Sequence, residues 1–372
     1  MVWSVSGRNR RFIGTNGLLR EQAKGLGKIH CPIVKMMKVT VTTVNDADLA
    51  EISDSYARSI MQNSSPSMPE IAFLKRLNQT PSIIRARSNK MAYTLRMLDC
   101  IGRGPLIDIG AGAGLNAVLA IYNGAKVVHA VEYENERFES ARLLVKNLKL
   151  EDRVILHKES ILDVELSSGN FVGAYSFELL EHISDLSELH KRVYCWLKKG
   201  SRIYGRSGAN GLSILRILQF LREYRTIETR PSSRYYQRRY AFIKEHAPAM
   251  QEQKLTKLTR NTQGMLFSEV QSALQAFLKT GRMPPYNPLR APRDPETREY
   301  MERLLRAFQL RRIIDAEGFR TKVLRPFYGA LTLQNPLKKR AALAVGSILR
   351  LTHPLSLLVA PWIEVLSEKT GE

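Results

Sequence analysis

An α/β fold, a doubly wound and mostly parallel seven-stranded sheet, is predicted by three observations on the sequence. Between Pro105 and Tyr204, short apolar runs alternate with segments of helical period. A glycine turn, Gly110–Gly114, joins the first run to the first of those helices, and the alternation returns after a long helical interruption. Strands that alternate with helices build a parallel sheet covered on both faces.

From about Ala47 to Ile101 the chain reads as helices: Ile71, Phe73, Leu74 and Leu77 fall at helical spacing, Pro81 interrupts, and Met91, Leu95 and Leu98 resume it. Pro105–Ile109 is a short buried strand, and Leu115–Tyr122 is a helix stopped at Asn123-Gly124. Lys126–Val131 is the second strand, Glu136–Leu148 a helix, Arg153–His157 the third strand and Val172–Phe177 the fourth. Asp185–Leu197 is a helix, and Arg202–Tyr204 is the fifth strand. After Ser207 the rhythm stops. Gly208–Pro295 reads as helices and basic loops, closing on the proline-dense run Met283–Pro295 that marks an insertion boundary. Tyr300–Glu317 is then an amphipathic helix with Gly318 as its C-terminal cap, and Arg320–Arg325 a sixth strand ending before Pro326. Pro336–Leu351 reads as a further helix, with a basic start and an apolar face that packs on the sheet or rests on a membrane surface, and Ile363–Ser367 as a last strand.

A chain of 372 residues exceeds the roughly 100–200 of one typical domain, so a core with a substantial addition is expected. Hydrophobic residues at 44% and charged residues at 25% exclude global disorder. The 57 Lys+Arg against 35 Asp+Glu leave +22, unevenly spread: residues 1–40 carry +7, residues 201–260 carry +9, and residues 101–200 carry −2. The near-neutral middle is thus set between basic flanks able to hold an anionic partner or to remain a solvated surface. Cys31, Cys100 and Cys195 lie far apart with no CxxC or Cys/His cluster, which suggests neither a disulfide framework nor a metal site, and fits a reducing, cytoplasmic setting. No apolar run approaches the ~20 residues of a membrane span. The arm with Arg8, Arg10, Arg11 and Arg20 is also compatible with an organelle transit peptide.

The chemistry is concentrated in Leu106–Gly114, LIDIGAGAG, between a predicted strand and a predicted helix. Glycines there permit a tight turn and a close approach of backbone to ligand, with free N–H groups facing it at the helix start. The spacing is Gly110-x-Gly112-x-Gly114, and Leu115 stands where a dinucleotide-binding G-x-G-x-x-G needs its third glycine, which argues against NAD. Twenty residues after Gly112, at the end of the second strand, Glu132 is placed for a carboxylate to accept hydrogen bonds from both hydroxyls of a ribose.

These stretches resemble the class I S-adenosylmethionine-dependent methyltransferases, whose fold is Rossmann-like: DIGAGAG (Asp108–Gly114), HAVEYE (His129–Glu134), FELLEHISD (Phe177–Asp185), HKRVYCWLKKGSRIY (His190–Tyr204) and, more weakly, Arg311–Pro326. The resemblance implies S-adenosyl-L-methionine as cofactor, with Asp108, Gly110, Ala111, Gly112 and Gly114 around its methionine moiety. It implies Glu132 on the ribose, Tyr133 beside the adenine, Ser160 and Ile161 on the adenine edge, and Phe177 and Glu178 beneath the sulfonium. Glu159-Ser160 stands where many members carry an aspartate for the adenine amino group, and Val172 where many begin the fourth strand with an acid.

On that resemblance the chain divides into residues 1–75 (basic arm and N-terminal helices), residues 76–207 with 296–372 (the methyltransferase core) and residues 208–295 (a basic helical lid over the acceptor). The implied reaction is in-line attack on the sulfonium methyl, for which holding nucleophile and methyl in near-attack geometry is the main physical demand. His182 is placed to take a proton from an acceptor or to bond a neighbouring loop. Phe177–Leu180 is unlike the Asn/Asp-Pro-Pro-aromatic signature of amino-methylating enzymes, so an oxygen or carbon of a small or lipid-like acceptor is expected. The alternatives are an RNA methyltransferase gripping with its basic arm and insertion, and a non-catalytic binding protein of the same fold. On a helix, Arg234 and Arg238 would share one face and Tyr236 and Tyr240 another, alternating phosphate contacts with stacking rings.

Overall fold

A computed structural model describes residues 44–324 and 352–371, together with Ala344, apart from positions 67, 80, 81, 228, 229, 289, 297 and 299. The basic arm of residues 1–40 and, apart from Ala344, the expected helix Pro336–Leu351 lie outside the described residues. Three helices open the described part: α1 (Asp46–Gln62), α2 (Met68–Gln79) and α3 (Ser82–Leu98). Asn45 starts α1 by accepting a hydrogen bond from the Asp48 N–H through its side chain, 2.8 Å long.

The alternating part follows as β1 (Pro105–Ile109), α4 (Leu115–Tyr122), β2 (Val127–Val131), α5 (Asn135–Asn147), β3 (Val154–His157), β4 (Phe171–Phe177), α6 (Leu186–Trp196) and β5 (Leu197–Ser207). Four helices come next: α7 (Ile214–Ile227), α8 (Arg234–His246), α9 (Glu252–Asn261) and α10 (Phe267–Thr280). The chain then returns to the sheet with α11 (Ala307–Ala316), β6 (Phe319–Val323), a short 3₁₀ turn at Leu355–Leu358 and β7 (Ile363–Lys369). The seven strands form one sheet in the order β3-β2-β1-β4-β5-β7-β6. All neighbours are parallel except β7, which runs antiparallel to both β5 and β6.

Alternation of side chains along each strand divides the core in two. Leu106, Val128, Ala130, Tyr175 and Tyr204 face a cluster shared with α1 to α5, while Ile107, Ile109, Val131, Ala174, Ile203 and Val365 face a second cluster with α6 and α11. A third, separate cluster of Ile243, Leu255, Leu258, Val270, Leu274 and Phe277 holds α8, α9 and α10 to one another. Asn63 ties the end of α1 to α5, donating from Nδ2 to Ser140 Oγ and to the Glu136 carbonyl, both at 2.7 Å.

Two expected elements change length most, for reasons of pairing. The fifth strand extends well beyond Arg202–Tyr204, because β4 on one side and β7 on the other satisfy its backbone from Arg202 through Ser207. The helix expected from Tyr300 begins only at Ala307. Its first residues are spent as a brace: the Tyr300 N–H donates to the His182 carbonyl, Leu305 N–H donates to the Ala209 carbonyl, and the Gly211 N–H donates to the Leu305 carbonyl. Gly318 closes α11 at φ +90°, where a Cβ would meet the Tyr194 ring at 2.7 Å.

Candidate active site

The sheet brings the carboxyl ends of β1, β2 and β4 side by side. Ile109 is in register with Val131 on one side and with Ser176 on the other, so Gly110, Glu132 and Phe177 stand at three adjacent strand ends. Backbone hydrogen bonds from the N–H groups of Gly110 and Ala111 to the Val131 carbonyl, 3.0 and 2.9 Å, bend the chain out of β1. The turn needs glycine at three places, with φ of +71° at Gly110, +55° at Gly112 and +77° at Gly114.

The three glycines do different work. A Cβ on Gly114 would press on Ala141 of α5 at 3.0 Å, so this position packs helix against turn. A Cβ on Gly110 would collide with the Leu179 side chain at 2.7 Å. Above Gly112 a Cβ would meet nothing within 4 Å, so the turn is open to a ligand there. Ala111 between them is buried.

Glu132 sits against this opening. Its Oε2 accepts from the Gly112 N–H at 2.8 Å and its Oε1 from the Glu134 N–H at 2.9 Å, although its side chain is almost entirely buried. Burial raises its carboxyl above the usual range, while the two backbone donors and then Arg137 pull it back. Each oxygen therefore makes one hydrogen bond and keeps a second lone pair. Tyr133 next to it is 53% exposed.

Ser160 and Ile161 form a turn after β3 rather than an extension of it. The Ser160 carbonyl accepts from the N–H groups of Asp163 and Val164, its Oγ accepts from the Leu162 N–H at 3.2 Å, and Ile161 is buried. Phe177 is half-buried, with its ring 5.8 Å from that of Tyr175 and 5.7 Å from that of Tyr204. Glu178 adopts φ +54°, a left-handed conformation uncommon for glutamate, and its N–H donates to the Arg206 carbonyl at 2.8 Å. Its Oε1 pairs with Arg206 Nη1 at 2.9 Å.

Asp108 differs from the others. Strand alternation turns it to the same face as Leu106, where it is fully buried beside Tyr175, and burial pushes its carboxyl up to about 8. His182 is half-buried, and its Nδ1 lies 3.2 Å from the Tyr300 carbonyl. A carbonyl only accepts, so Nδ1 carries the proton of this bond.

Four further residues border the site. Leu179, which covers Gly110, and the buried Glu181 belong to the Phe177–Asp185 stretch itself. Arg206, which holds Glu178, and Lys90 from α3, whose ammonium lies 4.6 Å from the centre of the Phe177 ring, meet the site only through the tertiary fold.

The arginine face expected on α8 is engaged internally. Arg238 Nη1 lies 2.9 Å from Asp294 Oδ2 and 3.2 Å from Glu296 Oε2, Arg234 lies 3.5 Å from Asp294, and Arg239 is fully buried. Asp294 is 3% exposed, and a buried carboxylate needs cations around it. The face thus ties α8 to the Met283–Pro295 run. Tyr236 and Tyr240 do stack, 6.2 Å apart, with the hydroxyl of Tyr240 donating to Glu252.

Residues 107–205 match a family model described as a methyltransferase domain. Over 58 residues the chain is 38% identical to the ribosomal protein L11 methyltransferase of Anoxybacillus flavithermus, a match covering 16% of this chain and 19% of that protein, so it spans about a fifth of that relative's length. Among solved structures, the chain is similar to the YcgJ protein of Bacillus subtilis at 12% identity and TM-score 0.42, covering 77% of this chain and 99% of that one. It is also similar to the geranyl diphosphate C-methyltransferase of Streptomyces coelicolor, at 12% identity and TM-score 0.41, covering 77% and 79%. The chain carries a class I S-adenosylmethionine-dependent methyltransferase domain. Among the described residues, no helix is long and apolar enough to cross a membrane, and no group of three His, Cys, Asp or Glu is placed to hold a metal ion.

Proposed function

We propose that the protein moves the methyl group of S-adenosyl-L-methionine to an oxygen or carbon of a small or lipid-like acceptor. The observation that carries this reading is the pairing of the open turn at Gly112 with the Glu132 carboxylate, whose second lone pairs suit two ribose hydroxyls. The exposed Tyr133 ring and the turn at Ser160 and Ile161 follow from the next strand ends, where an adenine would lie. When bound, the cofactor supplies an electrophilic methyl on a sulfonium.

The chain's own residues then have three tasks. Gly110, Gly112 and Glu132 hold the cofactor; Phe177 and Glu178 stand at the neighbouring strand end, beneath where the sulfonium would lie. His182, protonated on Nδ1 by its bond to Tyr300, offers Nε2 to an acceptor proton. The lack of an Asn/Asp-Pro-Pro-aromatic run in Phe177–Leu180 supports oxygen or carbon over an exocyclic amine. The helices α7 to α10 leave from the carboxyl end of β5, the side of an open α/β sheet on which ligands bind, which supports residues 208–295 as a lid over the acceptor.

The test is calorimetry with S-adenosylmethionine, followed by transfer of its labelled methyl into metabolite, lipid and bulk RNA extracts. Cofactor binding with label in a metabolite or lipid is expected. Binding of NADH without S-adenosylmethionine, or label in RNA alone, would overturn the reading.

A further inference from the structure

A group of cations stands beside the proposed methyl-transfer site, on the side away from the glycine turn. Arg87 and Lys90 project from α3 three residues apart, and so from one helix face. Arg206 joins them from the end of β5. Lys90 Nζ lies over the Phe177 ring at 4.6 Å, the Arg206 guanidinium over Trp362 at 5.0 Å, and the Arg87 guanidinium over Phe73 at 4.3 Å. Two carboxylates answer them: Glu178 pairs with Arg206 at 2.9 Å, and Glu364 of β7, almost fully buried, lies 3.6 Å from it. With Lys90 protonated, the group carries one positive charge in excess. Neither the Arg87 nor the Lys90 side chain has a hydrogen bond or ion pair to a described residue.

We propose that Arg87, Lys90 and Arg206 form a receiving site for an oxyanion, a carboxylate or phosphate, borne by the methyl acceptor. This rests on the methyl-transfer reading above. Three half-buried cations held together in the free protein repel one another, and an incoming oxyanion relieves that repulsion while gaining charge-assisted hydrogen bonds. The aromatic rings of Phe177 and Trp362 wall the cations and lower the water competing for them. The position also fits an acceptor better than the cofactor's own carboxylate. In the order β2-β1-β4-β5-β7, Arg206 and Glu364 lie on strands two and three places from β1, so roughly 10 Å or more beyond the glycine turn.

Lys90 feels both its burial and its cationic neighbours. Burial first, and Arg206 second, push its ammonium down to about 7; Arg87 adds to this, while Glu364 and Glu178 oppose it. Tyr204 is buried beside Glu364 and bonds to it. An arriving oxyanion favours the ammonium, so binding takes up a proton near neutral pH.

The experiment is calorimetric titration of the full chain with inorganic phosphate and, separately, with acetate, with and without saturating S-adenosylhomocysteine, in buffers of differing ionisation enthalpy. The wild type should bind phosphate or acetate with S-adenosylhomocysteine in place and take up a proton. Phosphate alone or acetate alone identifies which oxyanion is read. Lys90→Met and Arg87→Met should weaken that binding at least about tenfold, the loss of a charge-assisted hydrogen bond, while Lys90→Arg retains it. Thermal unfolding verifies that the variants fold. Absence of binding by the wild type up to about 20 mM, a weak affinity by any standard, overturns the inference, as does unchanged binding by Lys90→Met. A fall in S-adenosylhomocysteine affinity in Lys90→Met, with phosphate excluded by that ligand, assigns the cations to the cofactor and overturns it too. A protein that binds the oxyanion but no S-adenosylhomocysteine refutes the methyl-transfer reading instead.

Discussion

Gly112 and Glu132, twenty residues apart on neighbouring strand ends, are joined by a hydrogen bond of 2.8 Å from the glycine N–H to Oε2. This bond fixes the carboxylate before any ligand arrives, so its remaining lone pairs are already aimed. Glu132→Ala should weaken S-adenosylhomocysteine by about 1–3 kcal/mol, the usual consequence of stranding hydrogen-bond partners. Isothermal calorimetry measures it, and an unchanged affinity removes Glu132 from the site.

The glycines of the turn predict two different phenotypes. Gly112→Ala places a methyl in open space at φ +55°, so stability should fall by only the backbone strain of about 1–2 kcal/mol, with a proportionately larger loss of cofactor affinity. Gly110→Ala drives the methyl into Leu179 and should lose stability first. Denaturant unfolding compared with calorimetry on the same two variants separates them; equal losses in both quantities would refute the distinction.

Arg238 and Asp294 carry a structural prediction. Arg238→Gln leaves a buried carboxylate with weaker compensation, and because the arginine is 35% exposed and partly screened, a loss of about 1–2 kcal/mol is expected. Cofactor affinity should not change. Arg238→Gln with wild-type thermal stability would show that the clamp between α8 and the Met283–Pro295 run contributes nothing.

How far the sequence could be read follows from which interactions are local. The glycine turn, the acid at the end of β2 and the strand-helix rhythm are encoded by spacing, and these elements appear where the spacing put them. The strand ends were less legible: β5 runs from Leu197 to Ser207 because β7, arriving from the far end of the chain, pairs with its polar residues. The ion pairs of the α8 arginines are hidden from the sequence for a related reason. Their partner Asp294 lies 56 residues from Arg238, and periodicity on one helix holds no information about it. Asp108 shows the same limit, since its neighbour Tyr175 is three strands later in the chain, on β4.

Glu181 provides a test by pH. It is buried four residues beyond Phe177, with Oε2 lacking a hydrogen-bond partner among the described residues. Burial, followed by the charges of Glu178 and Glu302, pushes its carboxyl up to about 7 from the ordinary value near 4.5. The folded protein therefore binds a proton there that the unfolded chain has released, and the sign follows: this group's contribution to stability is fully present below about pH 4.5 and is lost as pH rises to about 7. Glu181→Gln keeps the shape and removes the titration. Relative to the wild type, the variant should be more stable by about 3 kcal/mol at pH 8, with the advantage shrinking toward pH 4.5. Urea unfolding of both proteins at pH 5, 6, 7 and 8 measures the difference. Parallel stability curves across that range would mean that Glu181 ionises as freely in the folded protein as in the unfolded chain.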